Sequence, residues 1–207
     1  MRHLIIIIFL GLCSFGIAQN NFDTAMEKAF QYWEKEGIDK AEHMFERIAN
    51  AEPNRWLPHY YIAQINSIKS WPEKDENIIS AQLKKAQQHI DKAAAIKPNH
   101  PEILVMQAQI LTNWIAFDGM TYGMKYSSKV SQLYEKAAAI APNNPRVAFC
   151  KAEWQMGTAK YFGQDPSQFC EDIATAVKHF ESYEPTTPLD PNWGEKRAIK
   201  ALEDCES

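Results

Sequence analysis

Most of the short patterns that announce chemistry are missing from this chain. No two histidines stand at helical ligand spacing and no HExxH-like motif occurs, so a zinc site has no signature. A GxSxG elbow, a phosphate loop and a CxxC pair are equally absent. The acidic run Glu73-Lys74-Asp75-Glu76 lacks the surrounding EF-hand pattern and reads as a solvated turn. Charge is not gathered into blocks: 22 basic and 26 acidic side chains give a net charge of −4. A nucleic-acid groove needs clustered Lys and Arg, so that class of partner is excluded. No metal and no cofactor are expected. An enzyme would have to build its site from scattered carboxylates such as Asp118, Glu153 or Asp165, one of them buried in a cleft with a raised pKa. The expectation is a non-enzymatic protein.

Long apolar runs are also scarce, and the single one lies at the amino end. Met1-Arg2-His3 precedes an apolar stretch from Leu4 to Ile17, shorter than the roughly 20 residues a spanning helix needs. Gly16 and Ala18 suit a cut after Ala18. Residues 1–18 are therefore expected to be a signal peptide. Residues 19–207 would form one exported domain, periplasmic or extracellular, with no later membrane span. An uncleaved anchor is the alternative. Cys13 follows Leu12 rather than the small residue a lipidation signal wants.

Loss of the signal leaves Cys150, Cys170 and Cys205, so at most one internal bridge forms. In a stack of helical hairpins, Cys170 would begin a second helix at one edge and Cys205 would end the last helix at that edge. These two are the natural pair. A closed loop of roughly 36 residues would stabilise by about 4 kcal/mol on the chain-entropy account. Three buried, unreactive thiols are the alternative.

What the chain does contain is a repeated phrase: a small-rich helix end, a proline, a polar pair, then a new helix. It is seen at Phe45 to Asn54, at Ala93-Ala94-Ala95-Ile96-Lys97-Pro98-Asn99-His100-Pro101, and at Ala137-Ala138-Ala139-Ile140-Ala141-Pro142-Asn143-Asn144-Pro145. A weaker copy ends Glu184-Pro185-Thr186-Thr187-Pro188. Its prolines, Pro53, Pro98, Pro142 and Pro185, are 45, 44 and 43 residues apart, which is repeat architecture. Before each proline runs one apolar stripe at steps of four and three: Ala41, Phe45, Ile48; Ala86, Ile90, Ala93; Val130, Tyr134, Ala137; Ile173, Val177, Phe180. Ala63, Ala108 and Ala152 each lie ten residues after a proline, where a small side chain lets a partner helix approach.

These residues resemble the tetratricopeptide repeat family. The first unit matches best, with Ala29, Tyr32, the turn Glu36-Gly37-Ile38-Asp39, then Ala41, Phe45, Ile48 and Pro53. The resemblance implies an all-α, right-handed solenoid of about four helical hairpins, with units near 22–53, 56–98, 101–142 and 145–185. A carboxy-terminal capping helix is expected near 191–205, with Asp190 as its cap and Pro191 at its first position. Family units run to about 34 residues. About ten extra residues per later unit therefore fall near 70–76, 117–126 and 161–166, where Pro72, Gly119, Gly123 and Gly163 read as long intra-hairpin loops. The stretches Trp114 to Gly123 and Glu153 to Gly157 resemble exported tetratricopeptide proteins of Bacteroidetes-type bacteria.

A scaffold of this kind implies a protein or peptide partner and a monomer. Counting from the small position of each first helix, Phe30, Trp33, Tyr60, Gln64, Gln109, Phe149 and Glu153 are candidates to line a concave groove for a peptide, helix or envelope-protein surface. Family members that grip a terminal carboxylate use Lys, Arg and Asn there, and here only Arg146 is basic nearby. Trp71, Phe117, Tyr122, Tyr126 and Tyr161 are candidates for an aromatic binding edge along the loops. Packing of the same aromatics into core is the competing assignment. The alternative function is a small-ligand binder, with the aromatic loops closing over a glycan, lipid or haem-like group.

Overall fold

The computed structural model describes residues 21–206; the expected signal segment and Cys13 lie outside them. Nine α-helices and one short 3-10 turn occur among the described residues, with no strand. Residues 21–35 are helical (α1). Then come α2 Ile38–Ala51, α3 Trp56–Ser70, α4 Glu76–Ile96, α5 Pro101–Phe117, α6 Gly119–Ile140, α7 Pro145–Tyr161, α8 Cys170–Glu181 and α9 Glu195–Glu206. The helices pack in sequence as hairpins, α3 on α4, α5 on α6 and α7 on α8, while the first helices α3, α5 and α7 also touch one another.

The repeated phrase becomes the punctuation of this stack. Pro98 and Pro142 follow the ends of α4 and α6, and Pro101 and Pro145 open α5 and α7, where a missing N–H costs nothing. Asn144 caps α7 by accepting from the amides of Arg146 and Val147. The expected stripes are core: Phe45, Ile90, Val130 and Ile173 are fully buried, as are Ala63 and Ala108.

The loop expected at 117–126 does not form, and that expectation is corrected, whereas 71–75 and 162–165 are non-helical links, the latter leading into the 3-10 turn Pro166–Phe169. In the second and third units the second helices are lengthened, so α4 has 21 residues and α6 has 22, against 14 for α2, while α8 has only 12. Asp75 caps α4 through the amides of Asn77 and Ile78. A single residue, Asp118, separates α5 from α6 and caps the latter at Thr121. An early cap lets Gly119 and Gly123 sit inside a helix that their turn chemistry argued against. The capping helix likewise starts later than expected. Asp190 accepts from the Thr187 amide rather than from a helix, and α9 begins at Glu195. Gly194 precedes it at φ 106°, and a Cβ there would stand 3.0 Å from the Phe180 ring, so glycine is required twice over.

Cys170 and Cys205 are bonded, clamping the far ends of α8 and α9 together. Cys150 is a buried free thiol that accepts from the Gln109 amide at 3.2 Å, and burial pushes its pKa well up, so it stays protonated. No helix among the described residues is long and apolar enough to cross a membrane.

Candidate functional site

The face lined by the first helices is not an open groove, because the chain's own carboxy-terminal arm lies on it. Between α8 and α9 the chain runs back across α7, α5 and α3. The Tyr61 hydroxyl donates to the Leu189 carbonyl at 2.7 Å, and the Trp193 indole donates to the Tyr60 hydroxyl at 2.8 Å. Tyr183 stacks under the Arg146 guanidinium at 4.4 Å. Arg197 forks onto Glu153 at 2.7 and 2.5 Å and lies over the Phe149 ring.

Beneath the arm Arg146, wholly buried, pairs with Glu102, its Nε at 2.9 and 2.8 Å from the two carboxylate oxygens and Nη2 at 2.7 Å. Burial opposes the arginine's charge, but the Glu102 hydrogen bonds outweigh it and hold the pKa above its usual range. Arg146 Nη1 and His100 Nδ1 are buried there without a hydrogen-bond partner.

The groove assignment is therefore corrected. Tyr60 and Phe149 are 0% exposed, and Gln64 is buried. Phe30 and Trp33 are half-buried in an aromatic cluster, Phe30 standing edge-on to Phe45 at 5.5 Å and to Tyr61 at 4.8 Å. Gln109 is spent on Cys150 and Glu153 on Arg197. The long reach of the arm, 133 residues from Tyr60 to Trp193, left no local signal in the sequence.

The aromatic edge is also divided. Trp71, 61% exposed, and the Tyr161–Phe162 pair, with Tyr161 80% exposed, remain in solvent at the hairpin ends. Phe117 turns back onto Trp114, and Tyr122 does the same at 4.9 Å. Tyr126 stacks on Tyr122 at 5.5 Å with rings 4° from parallel.

That stack belongs to an open cleft of about 690 Å³ between α4, α5 and α6. Helix α5 forms its floor with Gln107, Leu111 and Trp114; α4 supplies Lys84, Gln87, Gln88 and Asp91; α6 supplies Tyr122, Lys125, Tyr126, Lys129 and Leu133. The positions 107, 111 and 114 step by four and three, placing them about 200° round the helix from Gln109 and hence away from the arm. Lys125 Nζ stands 5.0 Å from the Tyr126 ring centre and 5.8 Å from that of Tyr122. Asp91 accepts from Gln87 at 2.8 Å, which leaves three lysines against one engaged carboxylate in a chain of net charge −4. The series Tyr122, Tyr126, Lys129, Leu133 carries helical spacing in the sequence, but it is hidden once 117–126 is read as loop.

Side-chain pairs bridge the neighbouring helices. Between α2, α3 and α4, Glu42 accepts from Lys69 at 2.6 Å, Lys85 at 2.5 Å and Asn66 at 2.7 Å. Burial pushes the Glu42 pKa up, yet those hydrogen bonds prevail and bring it down to about 2. Between α6 and α7, the Trp154 indole donates to Ser131 at 3.0 Å and Lys151 pairs with Glu135 at 2.9 Å.

Neither Asp118 nor Asp165 is a poised acid. Hydrogen bonds from Thr121 and Ser167 hold them below the usual carboxylate range in their capping roles. No group of three His, Cys, Asp or Glu able to hold a metal occurs among the described residues.

These features define an all-helical protein built from stacked hairpins, with one face covered by its own chain and one aromatic, lysine-rimmed cleft. The HusA haemophore from Porphyromonas gingivalis has a similar fold, at a TM-score of 0.73 over 89% of this chain and 92% of that one, with 20% sequence identity. No protein-family model matches the chain, and neither does any curated protein.

Proposed function

We propose that the chain is an exported, non-enzymatic carrier whose α4–α5–α6 cleft takes a flat, anionic, aromatic small molecule of the haem class. The observation that carries it is the cleft, which is open between α4, α5 and α6 and lined with stacked tyrosines, Trp114 and three lysines. Its volume lies within the range of small-ligand sites. Ring faces suit the flat body of such a ligand and lysines suit its carboxylates. The similarity to a haemophore supports the same ligand class. No His, Met or Cys lines the cleft, so affinity comes from the ring and its carboxylates, and an iron would find only the Tyr122 and Tyr126 phenols.

The test is a titration of the full mature chain with haem and with iron-free protoporphyrin, followed by absorbance and fluorescence. Both are expected to saturate one site with comparable affinity, and Tyr126→Ala to weaken each roughly three- to tenfold. Absence of binding, or binding indifferent to Tyr126→Ala, overturns the proposal. Protein docking keeps one supporting observation, the exposed Trp71, Tyr161 and Phe162 along the hairpin ends. Capture of a specific envelope protein that Tyr161→Ala abolishes would favour it.

A further inference from the structure

Residues 182–194 form the longest non-helical stretch among the described residues, and they do not take the short path from α8 to α9. They cross the first-helix face, anchored by the buried Leu189 and Pro191 and by the Trp193–Tyr60 hydrogen bond. What they cover is unlike a helix-packing surface: two tyrosine hydroxyls, the Glu102–Arg146 pair, and an Arg146 nitrogen that has no acceptor although the side chain is 0% exposed. A surface meant for permanent burial leaves few such groups unpaired. At either end of the arm stands a helix, and Cys170 of α8 and Cys205 of α9 are bonded at the end remote from the arm.

We propose that the arm is a removable plug over a second binding face, and that the Cys170–Cys205 bridge is its lock. With the bridge intact, α9 cannot leave α8, and the arm between them is confined to a closed loop over the face. Reduction by a dithiol opens the lock. One thiolate attacks a bridge sulfur, the second thiol closes the reductant into its own disulfide, and Cys170 and Cys205 leave as thiols. Freed of α9's restraint, the arm exposes Tyr60, Tyr61, Glu102 and Arg146. The vacated face suits an extended peptide of the arm's own chemistry, with an aromatic ring for the guanidinium face and a carbonyl for Nη1. The plug is independent of the cleft, which lies on the other side of α5.

Hydrogen exchange on the full mature chain tests this, with and without dithiothreitol, alongside a Cys170→Ser/Cys205→Ser chain. Amides of 183–193 are expected to exchange at least about tenfold faster once the bridge is gone, while α7 and α8 keep their protection. A synthetic peptide of residues 183–193 is expected to bind the bridge-free chain and not the bridged one. In the bridged chain, Tyr60→Phe is expected to quicken exchange of the arm roughly three- to tenfold by removing Trp193's acceptor. Unchanged arm exchange after reduction overturns the proposal. So does loss of α8 protection together with the arm, since the bridge would then merely staple the fourth hairpin.

Discussion

The two sides of α5 make opposite use of polar side chains. On the arm side, Glu102 and Arg146 are buried and bound to each other, and Tyr60, Gln109 and Glu153 are already engaged within the chain. On the cleft side, Lys84, Lys125 and Lys129 are exposed around half-buried tyrosines, and their charges are free to meet a ligand. The first arrangement satisfies buried charge within the fold and the second leaves charge and ring faces open to solvent. The difference teaches that a groove expected from repeat architecture can be filled by the same chain that makes it.

The arm side is the place to look for the largest effect. Arg146→Ala would leave the Glu102 carboxylate buried among Tyr60 and Asn144 with its main partner gone. Breaking a buried pair in this way costs about 3–5 kcal/mol. Chemical denaturation is expected to show a loss of that size. A loss below about 1 kcal/mol would mean that the face is hydrated and the comparison between the two sides is wrong.

The hairpin of α3 and α4 gives a smaller effect that depends on pH. His59 and His89 meet at 3.0 Å between their Nδ1 atoms, so one ring donates and the other accepts, and a doubly charged pair cannot form this bond. Burial, then the neighbouring His59, Lys92 and Lys85, press the His89 pKa down to about 4, with Glu46 opposing. Burial and Lys92 lower His59 too. A folded pKa below the unfolded value of 6.5 means the unfolded chain takes up the proton first. The stabilisation is complete above pH 6.5 and is lost as pH falls toward 4, by about 2–3 kcal/mol in all. Glu42, lowered to about 2 from 4.5, adds a loss of the same sign between those two values. Thermal unfolding across pH 7 to 4 is expected to show the first loss, and His89→Gln to flatten it. A flat profile in the native chain would sink the assignment.

Much of the fold was legible because it is local. A proline after a small-rich helix end and another three residues later, as at Pro98 and Pro101, set a stop and a start within one turn of chain, and the stripes at steps of four and three set the buried face. The sites were less legible for two different reasons. Glycine argued for a loop at 117–126, whereas Asp118, a short polar residue able to cap, decided for helix and carried Tyr122 to Lys129 onto one face. The arm's contacts bind residues more than a hundred positions apart, which neither periodicity nor spacing records.

The smallest change in stability is expected where the change in function is clearest. Lys129 is exposed at the rim of the cleft, and a charge reversal there removes no core contact. Lys129→Glu should alter folding stability by no more than about 0.5 kcal/mol. An anionic ligand held by lysines should nevertheless bind roughly tenfold more weakly, with most of the loss vanishing at high salt as charges are screened. An iron-free porphyrin esterified at its carboxylates supplies the control, because it keeps the ring for Tyr122 and Tyr126 but offers lysine nothing. Its affinity should be the same for the native and Lys129→Glu chains. If the ester also loses tenfold, the substitution has disturbed the tyrosine stack, and the division between ring recognition and charge recognition in the cleft fails.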